Sequence, residues 1–265
     1  MIKVESRDGE SRLDTAHTQI RPLLSLVIPA YNEGDPDRLP ASLKDITTFV
    51  DQQDFAIEVV IVNNNSSDNT LEVAEAAARD HDYIRVMTEN TQGKGAAVHT
   101  GMMAATGDYL FICDADLSMP IVETLKFLPP QLGDYAIAIA SREAPGSQRI
   151  DEPEIRHIMG RVFNFIVKVI AVRGLNDTQC GFKCFKREIV EEIFPLQTID
   201  GWAFDVELLF IAQQRGYEII EVPITWYYKD HSKIHPLRDS INMVLETVKI
   251  RLNGWRGVYE QTQTS

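Results

Sequence analysis

The sequence predicts an α/β fold, with a mostly parallel sheet flanked by helices and amphipathic helices toward the C-terminus. Compact apolar runs such as LLSLVIPAY (23–31) and AIEVVIVNN (56–64) have the length and β-branched content of strands buried on both faces. Helix-forming stretches lie between these runs. Strands that alternate with helices in this way pair in parallel, because each helix carries the chain back across the sheet.

The other elements follow from similar local patterns. Further strands are predicted at 83–89, 108–116 and 135–142, and helices at 39–50, 66–81, 93–106 and 121–132. The second helix begins in SSDNT, whose Ser and Asp residues are typical helix caps. We expect the fourth helix to be broken at Pro129–Pro130, because proline interrupts helical hydrogen bonding.

The predicted organisation is one α/β domain with short additions. Residues 1–20 are polar and resemble a flexible segment, 21–230 form the domain, 231–257 form an amphipathic helix, and 258–265 form a tail. The first residues lack the apolar core of a signal peptide. No apolar stretch has the length of a membrane span, so we expect any membrane attachment to be peripheral.

Composition excludes some functions. The formal net charge is −13, which argues against nucleic acid as a partner because such binding needs a basic face. The three cysteines, Cys113, Cys180 and Cys184, fit neither an even disulfide framework nor a zinc motif. They are typical of reduced thiols in a cytosolic protein.

Two carboxylates one residue apart follow the predicted fourth strand. Asp114 and Asp116 lie in DAD at its carboxyl end, where open α/β sheets bind ligands. Residues i and i+2 of an extended segment point the same way, so the two charges would converge and repel. A divalent cation, Mg²⁺ or Mn²⁺, would relieve the repulsion and could also hold a diphosphate. A solvated turn with capping acids would give the same pattern.

Ligand-type residues also follow the other strands. IPAYNE ends the first strand and supplies Pro29, Tyr31 and Glu33, while NNNSSDNT ends the second and supplies Asn64. TQGKGAAV places Lys94 among glycines at a helix N-terminus, which is a natural anion site. The loop is neither a P-loop nor a Rossmann fingerprint.

These motifs together resemble glycosyltransferase family 2, whose members are inverting enzymes of the GT-A (Rossmann-like) fold. SREAPGS, DTQCGFK and GWAFDVELL in the second half resemble the dolichyl-phosphate β-glucosyltransferases and other polyprenyl-phosphate glycosyltransferases. The resemblance implies a nucleotide-sugar donor, UDP-glucose, with Pro29, Tyr31, Glu33, Asn64 and Lys94 around it. Three asparagines at 63–65 replace the family's usual acidic residues, which leaves the base of the donor open.

The resemblance also implies the metal and the catalytic groups. Asp116 would bind the metal directly, and Asp114 would bind either the metal or the ribose and the water around the metal. Arg142 would assist the reaction. Asp205 falls where many family members place a catalytic base, although it could instead orient a basic group or be an ordinary acid in the first turn of a helix.

The acceptor implied by the resemblance is a polyprenyl phosphate. Between 141 and 187 the chain carries nine Lys/Arg and five acids, a local balance of +4. We expect this segment to bind the acceptor phosphate, because phosphates are positioned by cations. The predicted phosphate-binding residues are Arg149, Arg161, Asp177, Lys183 and, on a late loop, Lys233. Any of these cations could also be merely solvated, and Asp177 could be a turn cap.

Two amphipathic helices suggest membrane contact. Residues 155–172 are apolar around most of a helical wheel but include Arg156, Arg161 and Lys168, and 235–257 repeat this pattern. Such helices lie at the bilayer interface with their cations at the head groups. We therefore expect a peripheral protein on the cytoplasmic face of a membrane. Core packing or a homodimer contact would produce the same pattern.

Other functions remain open from the sequence. A polyprenyl-phosphate mannosyltransferase using GDP-mannose would share the first half, and the asparagines at 63–65 would suit a non-catalytic nucleotide-sugar-binding homologue. A nucleotidyltransferase would need a basic, glycine-rich loop after the first strand. PAYNEGD, which stands there, is acidic.

Overall fold

The computed structural model describes residues 21–229 and 236–260. Within these residues a seven-stranded sheet has the order β3-β2-β1-β4-β7-β5-β8, and β6 pairs with β9 in a separate ribbon. The strands are β1 (Leu24–Ala30), β2 (Ile57–Asn63), β3 (Ile84–Thr88), β4 (Tyr109–Ile112), β5 (Ile137–Ser141), β6 (Gln148–Ile150), β7 (Lys183–Lys186), β8 (Ile219–Pro223) and β9 (Thr225–Tyr227).

The large sheet is parallel except at β7, which runs antiparallel between β4 and β5. This confirms the predicted α/β fold with a mostly parallel sheet. Both faces of the sheet are buried: Val27 of β1 packs into one apolar cluster, while its neighbours Leu26 and Ile28 pack into the other. Alternate residues of a strand point to opposite faces, so a strand buried on both sides is apolar throughout.

Seven α-helices are described. They are α1 (Leu39–Asp51), α2 (Thr70–Asp80), α3 (Lys94–Ala104), α4 (Glu154–Ile170), α5 (Arg187–Ile193), α6 (Phe204–Gln214) and α7 (Pro236–Trp255). Asp68 accepts the backbone N–H of Thr70 at 3.0 Å and so satisfies a donor at the start of α2, as the SSDNT motif predicts.

Two predicted boundaries were wrong. The fourth strand ends at Ile112, before the acidic pair, because residues 114–117 form a turn. The predicted helix at 121–132 is a 3₁₀ helix, Ile121–Phe127, which ends before the proline pair. Tyr259 is buried and its hydroxyl donates to Glu207 at 2.8 Å, and the predicted domain bounds stay a prediction. Of the described helices, none combines the length and the apolar character needed to cross a bilayer.

Candidate active site

The carboxyl ends of β1, β2 and β4 lie side by side, and α3 begins next to them. Lys94, the first residue of α3, donates to Asp114 Oδ1 at 2.6 Å, and its ammonium lies 5.7 Å from the ring centre of Trp202. Burial alone would lower the pKa of Lys94, but the carboxylates of Asp114 and Asp205 raise it above the usual lysine range. A lysine that remains charged therefore neutralises part of the acidic turn.

Asp114 and Asp116 lie near each other because they share a turn, whereas the sequence predicted that they are alternate residues of an extended segment. The turn that holds them is closed by a bond from Leu117 N to Asp114 O at 3.1 Å, with Leu117 at a φ of 48°. Ser118 fixes Asp116 by donating to its Oδ1 from the backbone at 3.1 Å and from the hydroxyl at 3.0 Å. Burial raises the pKa of Asp116, and the neighbouring charge of Asp114 raises it further.

The acidic turn fits a divalent cation. Burial and the charge of Asp114 make it costly for Asp116 to carry a negative charge as well. A cation that binds both carboxylates removes this cost. Within the described residues no three acidic, His or Cys side chains gather as a complete metal site. Two carboxylates are nevertheless sufficient for Mg²⁺ or Mn²⁺ when substrate phosphates and water complete the shell. We therefore assign Asp114 and Asp116 as the residues that would hold the metal.

Gly181 of the DTQCGFK motif is packed against this turn. A Cβ added at Gly181 would lie 2.1 Å from Asp114 Oδ2, so a side chain here would displace the carboxylate. Glycine therefore lets the loop before β7 approach Asp114 without moving it.

Arg38 is a site residue that the sequence analysis missed. Its guanidinium binds both carboxylate oxygens of Glu33, and the charge of Asp116 acts on it as well. Glu33 was predicted at the donor, and the structure shows it paired with Arg38 in front of α1. The signal available in the sequence was only the five-residue spacing, which is too common to single out.

The other residues that were predicted around the nucleotide sugar differ in how exposed they are. Tyr31, just beyond β1, is 38% exposed, while Pro29 lies within β1 opposite Val62. Asn64 is buried and fastens the following loop: its amide donates to Glu89 O at 3.2 Å and to Thr91 O at 2.7 Å, and its oxygen accepts from Gly93 N at 2.9 Å. Both amide hydrogens are used, so Asn64 shapes the loop, and its contact with the nucleotide sugar stays a prediction.

Two N–H groups at the N-terminus of α3 donate within the protein. The N–H of Gly95 donates to Gly201 O at 3.3 Å, and the N–H of Ala96 donates to Asp200 O at 3.2 Å. A Cβ on either Gly93 or Gly95 would overlap this segment. Because these two N–H groups already have backbone partners, what Lys94 offers an anion here is its side chain, and the anion site itself stays a prediction.

Lys183, which was predicted to bind phosphate, is enclosed within the protein, and its contact with a phosphate stays a prediction. It has no exposed area, its Nζ lies 3.0 Å from Asp205 Oδ1, and it donates to Cys180 O at 2.5 Å. Burial raises the pKa of Asp205, although Lys183 and Lys94 oppose the rise. The two side chains thus hold each other at the start of α6, and the choice between a catalytic base and a carboxylate that orients a basic group stays a prediction.

Arg142 and Asp177 form a second buried pair. The guanidinium donates to both carboxylate oxygens at 2.7 and 2.9 Å, and the backbone N–H of Arg142 adds a third bond. Burial alone would raise the pKa of Asp177, but Arg142 outweighs it and lowers the pKa to about 2. Asp177 thus binds a cation of its own chain, and its contact with an acceptor phosphate stays a prediction.

The remaining predicted cations lie farther out. Arg149 is held by Glu143 and Glu152, so it is engaged within the protein. Arg161 is exposed on α4. Lys233 lies outside the described residues.

The two amphipathic helices pack together and share an exposed apolar surface. On α4, Ile155, Phe165 and Val169 are 72%, 66% and 68% exposed, and on α7, Leu245 and Trp255 are 63% and 72% exposed. We call this surface the apolar face; it comprises Ile155, Ile158, Met159, Val162, Phe165, Val169, Ile241, Leu245, Val248, Leu252 and Trp255. So many exposed apolar side chains on adjacent helices mark an interaction surface.

A mostly parallel sheet with an acidic turn after its fourth strand is the arrangement of a GT-A glycosyltransferase. Residues 25–194 match the model of the family described as Glycosyl transferase family 2. The chain therefore belongs to this family and is a glycosyltransferase.

Curated relatives extend the match beyond the family region. The chain is 35% identical over 253 residues to a dolichyl-phosphate beta-glucosyltransferase of Drosophila melanogaster, with 88% of this chain and 77% of the relative covered. It is 33% identical over 256 residues to the protein of that name from Homo sapiens, with 91% and 78% covered. The similarity includes the second half, where DTQCGFK and GWAFDVELL lie.

Solved structures support the fold. Mannosyl-3-phosphoglycerate synthase from Rubrobacter xylanophilus matches with a TM-score of 0.66 at 17% identity, covering 92% of this chain and 77% of that one. Glucosyl-3-phosphoglycerate synthase from Mycobacterium tuberculosis, solved with Mn²⁺, UDP and its product, matches with a TM-score of 0.61 at 16% identity, covering 92% and 82%. At these identities the likeness concerns the fold.

Proposed function

We propose that the protein transfers glucose from UDP-glucose to a polyprenyl or dolichyl phosphate with inversion at the sugar, and that the reaction requires Mg²⁺ or Mn²⁺. The observation that carries this proposal is the pair of partly exposed carboxylates, Asp114 and Asp116, at the edge of the sheet. The relatives of this chain named above are dolichyl-phosphate beta-glucosyltransferases. The structural neighbours that contain UDP and Mn²⁺ support the donor and the metal.

The donor would lie over the ends of β1, β2 and β4. Asp114 and Asp116 would hold a cation that neutralises the diphosphate leaving group. Lys94, bonded to Asp114 and still charged, adds a second positive charge beside that position. Tyr31 offers an exposed ring at the end of β1, where a base can stack.

The acceptor needs positioning more than activation. A phosphate monoester is already an anionic nucleophile near neutral pH, so the reaction does not depend on a strong base. Asp205 is buried and paired with Lys183, which suits it to hold the start of α6 in place. Arg161 is the predicted acceptor cation that is exposed among the described residues, and it lies on the helix that carries the apolar face.

The apolar face supports contact with a bilayer, where a polyprenyl phosphate would be found. Interfacial helices gain from buried apolar area and from the attraction of their cations to anionic lipid. We propose that this contact is on the cytoplasmic side of the membrane. A homodimer through the same face stays an alternative.

A panel of donors tests the proposal. Purified protein is mixed with radiolabelled UDP-glucose, UDP-galactose or GDP-mannose, with polyprenyl phosphate in vesicles, and with Mg²⁺, Mn²⁺ or a chelator. The expected result is label in the organic phase from UDP-glucose, which disappears with chelator. Label from GDP-mannose alone would establish the mannosyltransferase alternative, and no label from any donor would support a non-catalytic homologue.

A further inference from the structure

Helix α7 has two faces with different neighbours. Its outer face carries the exposed residues Ile241, Leu245, Val248, Leu252 and Trp255, which recur at helical spacing. Met243, Thr247 and Ile250 on the opposite side are buried. Glu246 and Asn253, seven residues apart, share the inner side and contact the protein there.

Glu246 lies against the loop that leads into α6. The backbone N–H of Ala203 donates to Glu246 Oε2 at 3.2 Å. A Cβ added at Gly201 would lie 2.6 Å from Glu246 Oε1, so the carboxylate rests directly on this glycine. Because Ala203 immediately precedes α6, the carboxylate satisfies a donor at the N-terminus of that helix, where a negative charge is favourable.

The same loop also closes the N-terminus of α3. The carbonyl oxygens of Asp200 and Gly201 accept from Ala96 and Gly95, as described above. Residues 200–203 therefore connect the starts of two helices. Each start carries a charged residue of the candidate site, Lys94 on α3 and Asp205 on α6.

A second attachment joins the end of α7 to this region. Glu207 of α6 is buried and accepts from Thr198 N and Ile199 N, both at 2.9 Å. Tyr259, which follows α7, donates to the same carboxylate at 2.8 Å, and Asn253 donates to the Thr198 hydroxyl at 3.3 Å. The inner side of α7 thus contacts both ends of the segment 198–203, at Thr198 through Asn253 and at Ala203 through Glu246.

From these contacts we infer that Glu246 is a positioning residue that couples the outer face of α7 to the active site. Glu246 already contacts residues 200–203 in the chain alone, and when a lipid bilayer restrains α7 this contact holds the loop more firmly. The loop in turn keeps Lys94 and Asp205 in the geometry that serves the nucleotide sugar. The inference rests on the proposed function, since it assumes that Lys94 serves sugar transfer and that Asp205, paired with Lys183, supports the site.

Charge favours a bilayer over a second copy of the chain as the occupant of the outer face. Arg161 on α4 and Lys249 on α7 are exposed on the two helices, and Arg256 is exposed just beyond α7. A symmetric dimer through this face would bring like charges toward each other, whereas anionic head groups would neutralise them.

Hydrogen exchange tests the coupling without requiring catalysis. The exchange of the Gly95, Ala96 and Ala203 amides is measured for the protein alone and with vesicles of phosphatidylcholine and phosphatidylglycerol. Vesicles are expected to slow exchange at these amides in the unmodified protein by about fivefold or more, the range of ordinary allosteric coupling. Glu246→Ala should bind vesicles equally well, because its side chain lies on the inner side, but should lose this response.

Two further variants separate positioning from general stability. Glu246→Gln retains an acceptor oxygen for Ala203 and should recover most of the response. Glu192→Ala removes a carboxylate of α5 that accepts from Arg215 and Tyr217, away from residues 200–203, and should respond as the unmodified protein does. In a parallel assay with a short, water-soluble isoprenyl phosphate, vesicles free of acceptor should raise kcat for the unmodified protein but not for Glu246→Ala.

Each contrary result overturns the inference. It fails if vesicles do not bind the unmodified protein, if bound vesicles leave the three amides unchanged, or if Glu246→Ala keeps the response. If the exchange response is seen but no glucose is transferred to any acceptor, the coupling stands and the proposed reaction is wrong.

Discussion

The charged side chains at the two halves of the sheet edge differ in their exposure to solvent. On the side of β1, β2 and β4, the side chains of Lys94 and Asp114 are 19% and 26% exposed. On the side of β7, Lys183 and Asp205 are 0% and 7% exposed and are paired with each other. An accessible pair can exchange its partner for a ligand, whereas a buried pair holds the chain together, so the first half is suited to binding and the second to support.

The largest expected effect is at the acidic turn. Asp116→Asn keeps the shape of the side chain but removes the charge that would hold the metal, and we expect kcat to fall by about 10³-fold, as for loss of one strong electrostatic contact in an active site. The fold should be retained, as measured by circular dichroism and thermal unfolding. Asp134→Asn, at a 90% exposed aspartate paired with Lys186, is the control and should keep full activity. Near-normal turnover of Asp116→Asn would remove the acidic turn from the mechanism.

A change in the buried pair of Lys183 and Asp205 should lower the free energy of unfolding. Lys183→Met leaves Asp205 buried without its cation, and we expect the free energy of unfolding in urea to fall by about 3 kcal/mol. Lys186→Met, whose partner is exposed, should lower it by less than about 1 kcal/mol. A Lys183→Met protein of normal stability that has lost affinity only for the lipid phosphate would reverse our assignment and restore Lys183 as an acceptor residue.

The pair of Arg142 and Asp177 predicts a dependence on acid. The pKa of Asp177 is lowered from 3.8 to about 2 in the folded protein, so folding favours the charged carboxylate. Its contribution of about 2 kcal/mol is present above the unfolded value and is lost as the pH falls toward the folded value. Unfolding in urea, measured from about pH 5 downward, should show this loss in the unmodified protein but not in Asp177→Asn. Parallel curves for the two proteins would contradict the assignment.

Much of the fold could be predicted from local patterns. The first four strands and the helices between them come from apolar runs and capping residues that act over a few positions, and the predicted and observed ranges largely agree. The antiparallel strand β7 was not foreseen, because KCFK is too short to show a direction and its pairing depends on distant strands.

The site was predicted less completely, for a physical reason. Residue type and strand position indicated Asp114 and Asp116, but they do not reveal which charges neutralise one another. Lys183 and Asp205 are 22 positions apart in the chain and Arg142 and Asp177 are 35 apart, so their pairing is a property of the packed structure. A basic segment in the sequence can therefore be half consumed by internal ion pairs.

The smallest expected effect concerns Arg161. It belongs to the same basic segment as Lys183, but it is exposed and not buried in an ion pair. Neutralising it in Arg161→Gln should weaken binding to anionic vesicles by about 1 kcal/mol, or about fivefold in the partition coefficient, because each cation near such a surface contributes about that much. Arg79→Gln changes another exposed arginine, at the end of α2, and should bind as the unmodified protein does. Both proteins should bind alike in high salt, where the attraction is screened within a few ångströms. Equal binding of all three proteins at low salt would mean that α4 does not face the lipid, and the apolar face would then be assigned to contact between two copies of the chain.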